Sequence, residues 1–466
     1  MKDIIESVRD KAKEKKVTFM DCRFVEKDST SIQIQDGKAD KVSNGRSSGI
    51  GIRVIVDGAW GFASTNILTK EKVDESLDTA IKMAKASSGK IKEPAQVKQV
   101  KPIVDKVNAS FEIDPRVVPL EEKMKKAVML EELARNTEKE KIANTILGYS
   151  DGWQHIIVCN SFGSYVDSES IRSVVNVNVV AREGNLFQNA YESEAKTKGF
   201  ELLKDLDPEK FSIKAAKRAI ALLSAKKAPS GVFPVILHPT IIGLFTHEAL
   251  GHNAEADGVM AGESILEGKM GQNVASKLIS IVDDPTYEGS WGFYKYDSEA
   301  TPAQRNMLIE NGILKGYMHS LETAEKFNAF PTGNARAWDF DCRPIVRMSN
   351  TNILPGNDSY KDMIKSIDNG VMLTHGLGGY VNVERGQFTF TAAEGWLIKK
   401  GEIQEQIRDV NMSGILLETL QKIDGVSKEH GLETMTGYCG KSGQHMYVGA
   451  GGPYVRVKEL LIGGQE

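Results

Sequence analysis

Residues 246–257 read THEALGHNAEAD. His247 and His252 offer imidazole nitrogens, the commonest side-chain ligands for a metal ion. Glu248 offers a carboxylate that could take a proton from a metal-bound water. The zinc-peptidase signature HExxH leaves two residues between the glutamate and the second histidine; here there are three, Ala249, Leu250 and Gly251. Histidines five apart lie about 140° apart around a regular helix. Glu248 and His252, four apart, share a face instead. Two local geometries would bring the histidines together: a π-bulge, which realigns residues five apart, or a kink or helix end at Gly251. The competing reading is a helix that holds two histidines and a glutamate for packing. If both histidines bind a metal, Glu248 remains as the base.

Other residue groups offer chemistry of their own. Glu255 and Asp257 follow the second histidine; either carboxylate can ligate a metal, but orienting a ligand from behind is the expected role. His445 is expected to be packed or exposed, not a fourth ligand. Arg336, Arg343 and Arg347 could hold a substrate carboxylate or make structural ion pairs. HGLGGYVNV (375–383) is either a strand edge that pairs with an extended peptide or a plain glycine-rich turn. CGKSGQ (439–444) contains GKS but lacks the upstream glycine of a P-loop. GIGIRV (49–54) and GLGGYV (376–381) each lack the last glycine of GxGxxG. No nucleotide site is therefore expected.

The metal-type segment needs a scaffold. Pro239 suits a first helical turn, and Ile241, Leu244, Phe245 and Ala249 recur at helical spacing behind it. Upstream, residues 3–15 read as a surface helix. Short alternating runs separated by Gly and Asp follow, as in an antiparallel meander. A helix with Val73, Leu77, Ala80, Ile81, Met83 and Ala84 on one face then covers them. Residues 120–138 and about 208–226 read as further helices around another group of strands. From 231 onward, strand-like runs alternate with glycine-rich turns. The fold class expected is α+β. Residues 1–90 form one α+β subdomain, 91–119 a connector, 120–227 a second α+β subdomain and 228–466 a mostly antiparallel β domain carrying the helix of His247.

Composition bounds the partners. The chain has 466 residues, 41% hydrophobic and 26% charged, with a formal net charge of −4. That is the profile of a globular protein. No basic block provides a footing for nucleic acid or anionic lipid. The uncharged run from Ala228 to His247 is broken by Pro229, Pro234 and Pro239, which argues against a membrane span. The start lacks the apolar core of a signal peptide. Cys22, Cys159, Cys342 and Cys439 are far apart and form no CxxC, so a reducing compartment is expected and a disulfide framework is not.

THEALGHNAEADGV resembles the HExxxH segment of the TldD branch of the TldD/PmbA family of zinc metallopeptidases. The resemblance runs in order through nearly the whole chain: GRSSGIGIRVIVDGAWGFAST (45–65), TPAQRNMLIENGILKGYMHS (301–320), GNARA (333–337), RPIVRMSNTNILPG (343–356), GQFTFTAAEGWLIKKGEI (386–403) and GYCGKSGQHMYVGAGGPYVRVKELLIGG (437–464). It implies that His247 and His252 bind a metal together with a third ligand, the cysteine of the xCGKxGQ segment, which is Cys439 here. Two imidazoles and one thiolate suit Zn²⁺ and leave a fourth position for water. The PmbA branch lacks HExxxH, so the resemblance implies that this chain is of the active type, with Glu248 as the catalytic base. It also implies a cytoplasmic peptidase acting on unfolded or short peptides. Its partner would be a PmbA-like subunit in a heterodimer, or a second copy of itself. The alternative is a non-catalytic scaffold subunit with a structural metal or none.

Overall fold

A computed structural model describes residues 1–464, the side chains at 249, 432–434 and 464 excepted; Gln465 and Glu466, the end of the expected C-terminal domain, lie outside the described residues. The chain is mixed α+β with antiparallel sheets, as expected.

The first half builds one sheet. Its strands are β1 (Phe19–Gln35), β2 (Lys38–Val56), β3 (Ala59–Thr65), β4 (Val104–Val107), β5 (Ile142–Asn160), β6 (Tyr165–Glu183) and β7 (Leu186–Lys196). The order is β3-β2-β1-β5-β6-β4, with β7 also on β6. β1 pairs with β5 along its length, from Asp21 opposite Asn160 to Gln35 opposite Ile146. The two groups of strands read separately from the sequence are thus one continuous sheet. The expected connector supplies β4, which pairs in parallel with β6.

Period-two alternation decides what each face meets. On β5 the residues Leu147, Tyr149, Ile157 and Cys159 are buried under helices, as are Val175, Val177, Val179 and Ala181 on β6. Four helices cover that face: α1 (Lys2–Glu14), α2 (Lys70–Ser88), α3 (Leu120–Asn136) and α4 (Lys214–Leu223). Val73, Leu77, Ala80, Ile81 and Ala84 of α2 face the sheet as expected; Met83 is exposed, because its direction around the helix falls between the stripe and solvent. The opposite face carries Asp21, Arg23, Val158 and Arg172 and turns to the C-terminal half. Arg23 donates to the carbonyls of Asp339 and Cys342, and Val158 packs with Ala300.

The second half is built on β8 (Gly231–Leu237), β9 (Asn369–Asn382), β10 (Gln387–Lys399), β11 (Glu402–Ile415), β12 (Ile423–Lys441) and β13 (Gln444–Gly464). β13 pairs with β8, β8 with β9, β9 with β10, β10 with β11, and β11 returns to β13. These strands close on themselves. Helix α5 (Pro239–Phe245) joins their core: Ile241, Ile242, Leu244 and Phe245 share one cluster with Val371, Phe390, Val410 and Val457. Burying each such side chain contributes about 1.5–3 kcal/mol, so the helix that leads to His247 is firmly anchored. β12 and β13 form a long hairpin. No described helix is long and apolar enough to cross a membrane.

Candidate metal centre

Helix α5 begins as its sequence predicts. Pro239 occupies the first turn, and the His238 side chain caps it by accepting from the Thr240 amide. After Phe245 the chain widens into a π-helical turn from Thr246 to Gly251, then tightens to a 3₁₀ turn over His252–Ala254. Of the two geometries open to the sequence, this is the π-bulge. It places the His247 and His252 rings 5.2 Å apart between centroids, at 82° to each other. Gly251 keeps helical dihedrals, so it does not kink the chain. A Cβ there would run into the Met348 sulfur, so glycine is needed for close approach. Ala249, expected on the apolar face, lies outside the described side chains.

Cys439 arrives from the far end of the chain on β12, opposite Met446 of β13. One ligand atom each from His247, His252 and Cys439 lie within 4.8 Å of one another. Cys439 Sγ stands 3.4 Å from His252 Nε2. His247 is buried, and among the described residues its Nδ1 has no hydrogen-bond partner. The Cys439 thiol contacts the rings of both histidines. Two imidazoles and a thiolate are a donor set for Zn²⁺. Burial pushes the Cys439 thiol up, but hydrogen bonds and charge from His247 and His252 prevail and hold it down at about 5. The thiolate, the ligand form, is therefore the ionisation state the site favours.

The carboxylates divide their work. Glu255 is buried and accepts from His252 Nδ1 at 3.0 Å, fixing the ring from behind. Burial pulls the His252 pKa down, yet Glu255 and Cys439 carry it well above the usual value. Burial disfavours the charged Glu255, but Lys441 and His252 hold its carboxyl down at about 2. Lys441 Nζ bridges Glu255 at 3.0 Å and Asp257 at 2.6 Å. Sequence reading gave Lys441 no role. The signal was present: two residues after Cys439 on a strand, it lies on the same face. Glu248 is neither a member of the ligand group nor buried. Its side chain is 34% exposed, with Oε2 3.9 Å from His252 Nε2.

The remaining candidates fall elsewhere. His445 is exposed, edge-on to Trp338. Arg343 is exposed, while Arg336 and Arg347 are buried. Arg347 donates to the carbonyls of Cys439 and Gln444 and so braces the hairpin at the ligand. Residues 375–382 continue β9, and Val383 begins a turn: β9 pairs with β10 along its length apart from a bulge between Gly376 and Gly378, but with β8 only at Val371–Leu373. Among the described residues no strand pairs with that side of β9 beyond Leu373. Gly376 on this stretch packs against Leu244 and Ile241 of α5.

Family models match three stretches: PmbA/TldA metallopeptidase domain 1 at residues 20–86, the central domain at 113–223 and the C-terminal domain at 230–464. A protein of Methanothermobacter thermautotrophicus named metalloprotease is 40% identical over 97% of this chain and 96% of its own. A zinc metalloprotease TldD homolog of Saccharolobus solfataricus is 29% identical over 97% and 98%. Among solved structures, a candidate modulator of a DNA gyrase from Thermotoga maritima superposes with a TM-score of 0.79 at 26% identity, covering 99% of this chain and 100% of the other. With an ordered match across all three segments and a full-length relative at this identity, the chain belongs to the PmbA/TldD metallopeptidase family.

Proposed function

We propose that this protein is a zinc-dependent peptidase of the HExxxH type, in which His247, His252 and Cys439 hold the metal and Glu248 is the catalytic base. The observation that carries this reading is the convergence of the three ligand atoms beside a carboxylate outside their group. When bound, the metal supplies a Lewis acid that polarises a peptide carbonyl and acidifies water. Glu248, partly exposed on the same side as His252 Nε2, accepts the proton of the attacking water on a carboxylate oxygen. It then returns that proton to the nitrogen of the leaving peptide. Glu255 and Lys441 keep the His252 ring oriented throughout.

The open side of β9 beyond Leu373 is where an extended peptide would add as a strand. Tyr380 and Leu377 on this stretch are exposed at 70% and 48%. Main-chain pairing of this kind selects unfolded or short peptides over folded proteins, with little regard for sequence. The four free thiols fit action in the reducing cytoplasm. The partner would be a PmbA-like subunit or a second copy of this chain.

The test is cleavage of an unstructured peptide by wild type and Glu248→Gln, each alone and co-expressed with a PmbA-like subunit. Loss of a general base lowers the rate by about 10²–10⁴, and zinc content should not change. Equal cleavage by the two proteins would overturn the assignment of Glu248. No cleavage by zinc-loaded wild type, alone or partnered, would favour a scaffold role instead.

A further inference from the structure

Between the seven-stranded sheet and the C-terminal half lies a cavity of about 430 Å³, within the range of small-molecule sites. Arg172 of β6 and Arg336 line it together with Tyr294, Trp338 and Tyr447. Tyr447 follows Met446, the strand partner of Cys439, so by alternation it faces away from the metal-type site. The cavity therefore lies behind the hairpin that carries Cys439.

Arg336 is buried and Arg172 half-buried, yet neither is paired with a carboxylate, as cations withdrawn from water ordinarily are. Arg172 donates to the Phe293 carbonyl at 2.7 Å, to Ser170 Oγ at 3.1 Å and to the Trp291 carbonyl at 3.4 Å. Arg336, 5% exposed, donates to the Met348 carbonyl. Their guanidinium carbons sit 4.4 Å from the Tyr447 ring centre and 4.6 Å from that of Tyr294. All these partners are neutral. Among the described residues neither arginine has a carboxylate at ion-pair distance. Burial lowers the pKa of both, that of Arg336 to about 10; Arg172 and Arg347 push Arg336 further down, while Tyr294 and Asp283 act against them. Both remain cationic at neutral pH.

Carboxylates in the cavity wall are otherwise engaged. Asp297 accepts from the amides of Glu299, Thr301 and Ala335. Glu201 accepts from the amides of Ile113 and Gly199, and the half-buried Glu169 accepts from Trp153 Nε1 at 3.4 Å. Glu112 and Glu288 are exposed, as are Lys198 and Lys295. Positive charge is thus concentrated on the inner wall: Asp283 acts on Arg336 only from beyond ion-pair distance, and among the described residues no carboxylate pairs directly with either arginine. A guanidinium fork matches the oxygens of a carboxylate or phosphate, and stacked tyrosines hold the fork in place.

We propose that this cavity binds a small organic or inorganic oxyanion, a carboxylate or phosphate compound, gripped by Arg172 and Arg336 between aromatic walls. The site is separate from the metal-type centre and does not depend on peptidase activity.

The test is calorimetric titration of the full-length, metal-stripped protein with inorganic phosphate and with succinate, each against chloride at matched ionic strength. Saturable binding of one anion at one site per chain is expected, and the anion that binds names the class. Arg172→Gln and Arg336→Gln should each weaken it about tenfold or more, the loss of a charge-assisted hydrogen bond. Circular dichroism establishes that the variants are folded. If Arg336→Gln does not fold, Arg172→Gln decides alone, and Arg172→Lys should recover part of the affinity. No binding of either anion to wild type, or unchanged affinity in folded Arg172→Gln, would overturn the proposal.

Discussion

Two clusters of buried polar groups invite comparison, one at the interface of the two halves and one at the end of α5. At the interface Arg53 of β2 donates to Asp21 of β1 at 3.0 Å and to Glu299 of the C-terminal half at 2.6 Å. Glu299 also accepts from the Leu321 amide at 2.7 Å. Arg53 stacks on Trp60, and both acids keep it charged against the pull of burial. The cluster closes on itself. At the end of α5, His252, Glu255, Lys441 and Asp257 close on one another in the same way, but among the described residues His247 Nδ1 has no hydrogen-bond partner, and Cys439 is held as a thiolate. The first cluster is complete within the protein and joins its halves. The second gathers three donor atoms within 4.8 Å of one another, a set that a cation would complete. Buried charge by itself does not mark a site; the unfinished part does.

This contrast can be broken by substitution. The largest effect on stability should come from Arg53→Ala, which leaves Asp21 and Glu299 buried and unpaired. The expected loss is about 3–5 kcal/mol in denaturant unfolding, with zinc content of the folded fraction unchanged. A loss of zinc at full stability would put the two clusters on one footing. Glu255→Gln should do the reverse: metal affinity about 10–100-fold weaker, measured by competition with a chelator, with the midpoint of unfolding of the metal-free chain nearly unchanged. Gly251→Ala should cost about 1–3 kcal/mol as Met348 is displaced, and pairing it with Met348→Ala should restore part of the loss.

Parts of this contrast were legible in the sequence and parts were not. Spacing alone offered the π-bulge as one of two answers for His247 and His252, and Pro239 marked the helix start. The choice between bulge and kink was not legible, and neither was the close approach to Gly251 of Met348, nearly a hundred positions away. Cys439 stands 187 residues from His252, and no periodicity links them; resemblance named it, and the β12–β13 hairpin delivers it. Helix faces such as Val73, Leu77, Ala80 and Ile81 on α2 were read correctly, since local repeats report local burial. The β1–β5 pairing that makes one sheet of two segments was missed for the same reason as Cys439. So was the meeting of Arg172 with Arg336, which needs both halves of the chain.

The smallest effect concerns pH. His319 is buried, and desolvation lowers its pKa from 6.5 to about 4. The unfolded chain takes up a proton near pH 6.5, whereas the folded chain resists until about pH 4. The stability contribution is therefore full above pH 6.5 and is lost as pH falls from there toward 4, by at most about 1.4 kcal/mol per pH unit. Urea unfolding at pH 7 and pH 5 should show this loss, and His319→Gln should reduce it. An unchanged pH dependence in His319→Gln would place the effect on other groups.

The most direct test of the central claim is the zinc content of freshly purified, chelator-free protein, wild type beside Cys439→Ser. About one zinc per chain in wild type, lost or weakened in the variant, is the expected result for a three-ligand site. Wild type that contains no zinc and takes up none when zinc is added would contradict it, and the π-bulge would then serve packing alone.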